Sequence, residues 1–497
     1  MKPSPNILLI TVDHWPGHML GIEGHPCIQT PTLDTLARSG RRYVRTYSEA
    51  PFCVPACRAL MTGRPTPAVG ENVECTLLAE AFAAGGYQSY AVGKLHAKPQ
   101  RSRLGFDDVQ LCEEGRTQWG VVDDYEAYLV ECGYPGAQFM HGMGNNEYIN
   151  RTWHLPEAMH ATNWQTRQMV RTIQRRDPTK PALWYLSYTH PHPPLTPLSF
   201  YWNMYRDVPV ATPSVGEWAE DPDSVPLALR QRRSQGEMMS DYAVRAARRA
   251  FYALSTHIDH QLRIVLGTLR EQKLLDNTVL LFTSDHGDYL GDHWMGEKEL
   301  FHDASARIPL IIVDPSEKAD ATRGSINQSL TEAIDLVPTF LDFAGGEVPD
   351  HILEGYSLLP EIYDTGQTPR DFVISEYDYS ARPHLRQLSK DAKSCSLTMV
   401  FDGRWKLIWV EGHRPMLYDL KTDPKEVVDL GDSKKHQAQI ERMGEMMFSW
   451  ARQQHTRVAI SDAQIETSRC HDDAKDGVFL GFWDETELNA WRKSQSE

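Results

Sequence analysis

No apolar run in this chain is long enough to cross a bilayer; its longest apolar runs have the length of buried strands. Positive charge is in deficit: 51 Lys and Arg against 67 Asp and Glu leave a formal net charge of −16, which argues against a nucleic-acid surface. The eight cysteines (27, 53, 57, 75, 112, 132, 395 and 470) lack paired zinc spacing. Internal repeats and low-complexity blocks are missing too. The start, Met1-Lys2-Pro3-Ser4-Pro5, runs directly into a strand-like segment, without the ordered charged, apolar and small-residue parts of an export signal. These absences predict a cytoplasmic protein with mostly reduced cysteines, no membrane contact and no nucleic-acid partner.

What is there has the rhythm of an α/β protein. Asn6–Val12 is an unbroken apolar run ending in Asp13, as a central parallel strand reads. Thr30-Pro31-Thr32 opens a helix with a capping hydroxyl and a proline at the first helical position, and Gly40 closes it. Further strands are expected at 90–93, 182–188, 278–283 and 309–313. Strands alternating with helices predict a large, mostly parallel sheet covered on both faces. Residues 105–180 and 205–240 read as excursions over the sheet rim. From about 370 short strands and turns predict a small antiparallel subdomain, with a helix near 435–453. With 497 residues the expected division is 1–370 for the catalytic α/β domain, 371–455 for the subdomain and 456–497 for a tail.

Ligands of such sheets bind beyond the carboxyl ends of the strands. Asp13, Lys94, His190, His192, Asp285 and His286 all lie at or just after such ends. Cys53-Val54-Pro55-Ala56-Cys57-Arg58-Ala59-Leu60-Met61-Thr62-Gly63-Arg64 reads as a turn opening a helix, placing Cys53 where unpaired amides favour an anion. Thr283-Ser284-Asp285-His286-Gly287-Asp288, followed by Lys298, offers carboxylate and imidazole ligands to one divalent ion, and Asp13-His14 adds to them. Gly93-Lys94-Leu95-His96 and His190-Pro191-His192 bring cations and acid/base groups. Singly, each stretch is equally a buried cysteine, a cap or a loop; together they describe a pocket for an anionic ester.

The cysteine segment resembles the sulfatase signature, Cys-x-Pro-x-Arg with Thr-Gly further on, here Thr62-Gly63. The strand ending at Asp13, the Gly-Lys-x-His at 93–96, the Pro-His at 191–192 and the Asp-His-Gly at 285–287 resemble the other blocks of that family, in the same order. The stretch from Gly291-Asp292-His293-Trp294 to Arg307-Ile308-Pro309-Leu310 resembles the phosphonate monoester hydrolase and arylsulfatase branch of the alkaline-phosphatase superfamily. Leu417-Tyr418-Asp419-Leu420 resembles its C-terminal subdomain.

The resemblance implies a sulfate monoester as substrate and a formylglycine nucleophile derived from Cys53, made by a formylglycine-generating enzyme. It implies one divalent metal held by Asp13, His14, Cys53, Asp285 and His286, with His14 where relatives have Asp, Gln or Asn. Calcium suits the oxygen ligands, and the imidazole of His286 leaves manganese open. Lys298 and His192 would bind the anion and protonate the leaving oxygen, His96 would take the proton of the collapsing diol, and Lys94 would neutralise charge. Arg58 and Asn72 would add to the substrate pocket. Lys94 and His96 tilt the reading to sulfate, because phosphonate monoester hydrolases tend to carry Tyr and Thr there. The aromatic tail segment 477–484 implies a homodimer or homotetramer.

One position departs from the signature. The arginine expected four residues after the cysteine is Cys57, with Arg58 next, turned about a quarter of a circle around the helix. This leaves open a non-catalytic relative with Cys53 unmodified; within the superfamily the resemblance also leaves a phosphonate monoester or phosphodiester hydrolase as an alternative.

Overall fold

The computed structural model describes residues 4–65, 77–97, 99–113, 122–219, 240–346, 348, 353–380 and 394–453. Its main sheet is built from β1 (Asn6–Val12), β2 (Arg41–Tyr47), β3 (Gln88–Gly93), β4 (Asp108–Leu111), β5 (Ala182–Tyr188), β6 (Thr278–Ser284), β7 (Arg307–Val313), β8 (Ile326–Asn327) and β9 (Thr331–Glu332). The spatial order is β4-β3-β5-β1-β6-β7-β2-β8, with β9 also on β2. From β4 to β6 every pairing is parallel. β7 runs antiparallel to both β6 and β2, so the sheet is mixed but mostly parallel.

All seven side chains of β1, β5 and β6 are buried because helices cover both faces. Leu8, Ile10 and Val12 of β1 join one core with Phe251, Leu254 and Ile258 of the long helix Asp241–Glu271. Ile7 and Leu9 join the opposite core with Leu60, Met61 and Phe340. Each such large aliphatic side chain contributes about 1.5–3 kcal/mol on burial. The helix expected after Thr30 is α1 (Pro31–Ser39), but Thr30 does not cap it. Asp259 of the long helix does, accepting from Thr32 N at 3.0 Å and Leu33 N at 2.8 Å. That cap comes from a residue more than 220 positions away and has no local signal.

Residues 105–180 are more than an excursion. They hold β4 and the helices Asp124–Glu131 and Ala161–Arg175. The second packs on the sheet with Trp164, Met169 and Ile173, yet it also buries Thr166, Gln168 and Thr172, which blurs its apolar period.

The C-terminal sheet consists of β10 (Val373–Asp378), β11 (Ser396–Phe401), β12 (Trp405–Val410) and β13 (Met416–Asp419), antiparallel in that order. Val400, Leu407 and Leu417 pack under the helix Gln437–Gln453 through Ile440 and Met443. The other face, with Met399, Ile408 and Tyr418, closes on Tyr47, Phe301 and Tyr289 of the large sheet's domain.

Glu49 is buried beyond the end of β2, with one oxygen accepting from Ile334 N at 2.7 Å. Burial and the neighbouring Glu332 push its carboxyl up to about 8. A raised carboxyl keeps its proton in the folded state where the unfolded chain has lost it, so stability falls as pH rises from about 4.5 to about 8. Glu49→Gln is therefore expected to gain on the order of 2 kcal/mol at pH 8.5 and little at pH 5. Thermal melts at both values check this, and equal gains at the two would refute it.

Candidate active site

β1, β3, β5 and β6 end on one edge, and their next residues form the site. Asp13 follows β1, Lys94 follows β3, His190 and His192 follow β5, and Asp285 and His286 follow β6. The helix α2 (Cys53–Thr62) opens onto the same edge with Cys53 in its first turn. Two glycines let the chain approach so closely. A Cβ on Gly287 would meet the carbonyl oxygen of Ala304 at 2.0 Å, and one on Gly93 would meet that of Ser187 at 1.8 Å.

Cys53 Sγ lies 3.2 Å from His286 Nε2 and 3.9 Å from Asp13 Oδ1. Asp13 Oδ1 is also 3.7 Å from His286 Nε2 and 3.8 Å from His14 Nε2. The ligating atoms of Asp13, His14, Cys53 and His286, all buried, lie within 4.8 Å of one another. Asp285 Oδ2 is 3.5 Å from His286 Nε2, and its other oxygen accepts from His14 N at 3.3 Å. Ligands around one divalent ion stand about 3–4 Å apart, so the spacing fits a metal.

The imidazole tautomers fit as well. His286 Nδ1 is 3.0 Å from the carbonyl of Gly287, which can only accept, so Nδ1 carries the hydrogen and Nε2 turns its lone pair inward. His14 Nδ1 stands 2.7 Å from Asp288 Oδ2, and the Lys298 ammonium, which can only donate, stands 2.6 Å from Nε2, so Nδ1 carries the hydrogen.

Burial, then the nearby Lys298, holds the His14 imidazole well below its ordinary value, so it is the neutral, ligating form. Burial alone would raise the Asp285 carboxyl, but His286 and Lys94 hold it well below the usual carboxylate range. Lys298 stays a cation: burial opposes this, and the neighbouring Cys53, Glu297 and Asp13 outweigh it. Lys94 Nζ bridges Asp13 Oδ2 and, at 3.4 Å, Asp285 Oδ2. Lys298 Nζ is 2.6 Å from His14 Nε2, and the His192 ring centroid is 4.4 Å from that of His14.

His96, at φ 50°, is held by Glu113, whose Oε1 accepts from its amide at 2.9 Å and from Leu95 N at 2.7 Å. Residue 57 is a buried thiol, pushed well up by burial, against the Lys94 ammonium and with the Asp285 and Asp13 carboxylates acting the same way as burial. Arg58 is only half-buried, and among the described residues its side chain forms no hydrogen bond or ion pair. Asn72 and the tail segment 477–484 lie outside the described residues. Asp288, Tyr148 and Glu113 belong to the site's support and were not read from the sequence. Asp288 lies two residues after His286, a usable hint, whereas Tyr148 and Glu113 sit in stretches without pattern.

The sulfatase family model matches residues 5–346, more than half of the chain, and the whole Asp13 to Lys298 constellation lies inside it. The chain belongs to the sulfatase family. A model for the C-terminal region of N-sulphoglucosamine sulphohydrolase matches residues 291–453. An arylsulfatase of Clostridium perfringens is 32% identical over 468 residues, covering 90% of this chain and 94% of the relative. A choline-sulfatase of Rhizobium meliloti is 27% identical, covering 86% and 83%. The crystal structure of a phosphonate monoester hydrolase of Agrobacterium radiobacter superposes with a TM-score of 0.79 at 26% identity, over 90% of this chain and 96% of that one. The protein is thus a hydrolase of the alkaline-phosphatase superfamily, and the Asp13, His14, Cys53 and His286 cluster is its sulfatase-type metal-binding active site. No described helix is long and apolar enough to cross a membrane.

Proposed function

We propose that this sulfatase-family hydrolase cleaves sulfate monoesters with a formylglycine made from Cys53 by a formylglycine-generating enzyme. The observation that carries the reading is the placement of Cys53 Sγ at the opening of α2, 3.2 Å from His286 Nε2 and in the field of the Lys298 ammonium. When bound, a calcium or manganese ion held by Asp13, His14, Asp285, His286 and residue 53 supplies charge neutralisation and activates the nucleophile.

The chain's own groups do the rest. Lys298 and Lys94 set two ammonium groups beside the cluster to receive an anionic ester. His192 Nδ1 donates to the carbonyl of Pro193 at 2.5 Å, so its Nε2 is the atom that takes up a proton and passes it to the leaving oxygen. His96, positioned through Glu113, is the candidate base for the collapsing diol. Arg58, half-buried on the turn of α2 after Cys57, would add a further positive charge to the substrate pocket.

Sulfate over phosphonate is favoured by Lys94 and His96 and by the arylsulfatase relative. The C-terminal sheet and helix support a unit of 371–455 after a catalytic 1–370, and a homodimer or homotetramer through 456–497 completes the reading. The deciding test is the peptide mass of the Cys53 segment from protein made beside the modifying enzyme, followed by aryl sulfate and phenyl phosphonate monoester assays. The expected outcome is thiol-to-aldehyde conversion and a kcat/KM at least about tenfold higher for sulfate. An unmodified Cys53 in fully active protein would sink it.

A further inference from the structure

We propose that Asp288, locked by Tyr148, is the positioning residue that makes His14 a metal ligand. This rests on the reading of His14 as a ligand given above. His14 is fully buried, with its backbone at φ 67° and its ring packed edge-on against His192 and His286 at 4.4 and 4.6 Å. Those ring contacts fix the plane of the imidazole but do not distinguish its two nitrogens.

Hydrogen bonds make that distinction. Asp288 Oδ2 stands 2.7 Å from His14 Nδ1. It also accepts from the Tyr148 hydroxyl, while Oδ1 accepts from Leu290 N at 2.8 Å. Both carboxylate oxygens are thereby engaged, and the group is held against rotation. A carboxylate so held accepts the Nδ1 hydrogen and leaves Nε2 as the nitrogen with the lone pair, turned in this structure to the Lys298 ammonium at 2.6 Å and 3.8 Å from Asp13 Oδ1, where a bound ion would take the ammonium's place.

Tyr148 is itself fixed, because its oxygen accepts from Glu297 N at 2.7 Å. Glu297 precedes Lys298, whose Nζ reaches His14 Nε2 at 2.6 Å. The contacts thus form a closed circuit: His14 Nδ1, Asp288, Tyr148, the 297–298 backbone, Lys298 and back to His14 Nε2. One circuit places a ligand and an anion-binding ammonium together. Asp288 and Tyr148 stand outside the ligating cluster of Asp13, His14, Cys53 and His286; they act through His14 and Lys298.

The test uses the full chain with Asp288→Asn, Asp288→Ala and Tyr148→Phe, and His14→Ala as reference. Manganese and calcium affinities are measured by calorimetry on the metal-stripped protein. The tautomer of His14 is read from nitrogen chemical shifts in ¹⁵N-histidine-labelled protein. Asp288→Ala is expected to weaken metal binding by about 10- to 100-fold and Asp288→Asn by less, with loss of the single Nδ1-protonated signal of His14. An Asp288→Asn protein that binds metal within about threefold of wild type and keeps that signal overturns the proposal, including where Asp288→Ala does not fold. Unchanged binding in His14→Ala would instead overturn the ligand reading beneath it. Weakened binding in His14→Ala with wild-type binding in the Asp288 variants rejects the positioning role alone.

Discussion

Cys53→Ala is expected to lower kcat/KM for an aryl sulfate by about 10⁴-fold or more, the scale on which deleting a covalent nucleophile acts. The two ammonium groups and the metal would still hold the ester, so residual activity above the uncatalysed rate comes from electrostatics alone. Stability should change little, because the substitution removes one sulfur atom from the first turn of α2 and leaves a good helix former. Metal binding should weaken modestly, since residue 53 is one donor among several. Cys57→Ala supplies the contrast: its thiol, pushed well up by burial, is a poor nucleophile, and its loss should cost less than about tenfold. Steady-state kinetics on both variants, with melts to confirm folding, check the pair. Activity within tenfold of wild type in Cys53→Ala would place the nucleophile elsewhere.

Lys406→Met is expected to destabilise the protein by about 3–5 kcal/mol at pH 8, the range for breaking a buried ion pair by removing one partner. Lys406, wholly buried in β12, stands 2.6 Å from Asp303 Oδ1 and 2.7 Å from Glu426 Oε1. Asp303 lies just before β7, so this ammonium ties the small sheet to the large one. Without it, Asp303 keeps Arg307 at 2.9 Å and the Tyr47 hydroxyl, but among the described residues the Glu426 carboxylate keeps only the amide of Asp303.

The pH dependence identifies the cause. Burial already pushes the Glu426 carboxyl up to about 7 despite Lys406. A raised carboxyl lowers stability as pH rises from about 4.5 through that value, and removing the lysine moves it further up. The deficit of Lys406→Met should therefore be larger at pH 8 than at pH 5, and Glu426→Gln added to it should recover part of the loss. Urea denaturation at the two pH values measures this. Equal deficits, with no recovery in the double variant, would show that lost packing and not a stranded charge is responsible.

β1, β5 and β6 were legible because strands covered on both faces must be apolar at every position, and their ends carry the polar residues that the rim requires. That is why Asp13, Lys94, Asp285 and His286 are marked as rim residues by the chain alone. β2 was not legible: Arg41, Arg42 and Arg45 interrupt it, and it buries only three of its seven side chains. The direction of β7 was equally hidden, because an apolar run is the same string whichever way its neighbour runs.

At the site, helical periodicity alone indicated that residue 57, and not 58, shares the face of Cys53, and the structure places Cys57 among the cluster's charges. The sequence by itself determined the fold class and the family and set the candidate site residues at strand ends, because burial and strand-end placement leave marks that are local in the chain. Only the tertiary structure decided that Asp259 caps α1, that Glu113 holds the His96 backbone and that Asp288 and Tyr148 orient His14. Each of these joins residues far apart in the chain or depends on which way a side chain turns, and a hydrogen bond is specified by where two atoms meet in space.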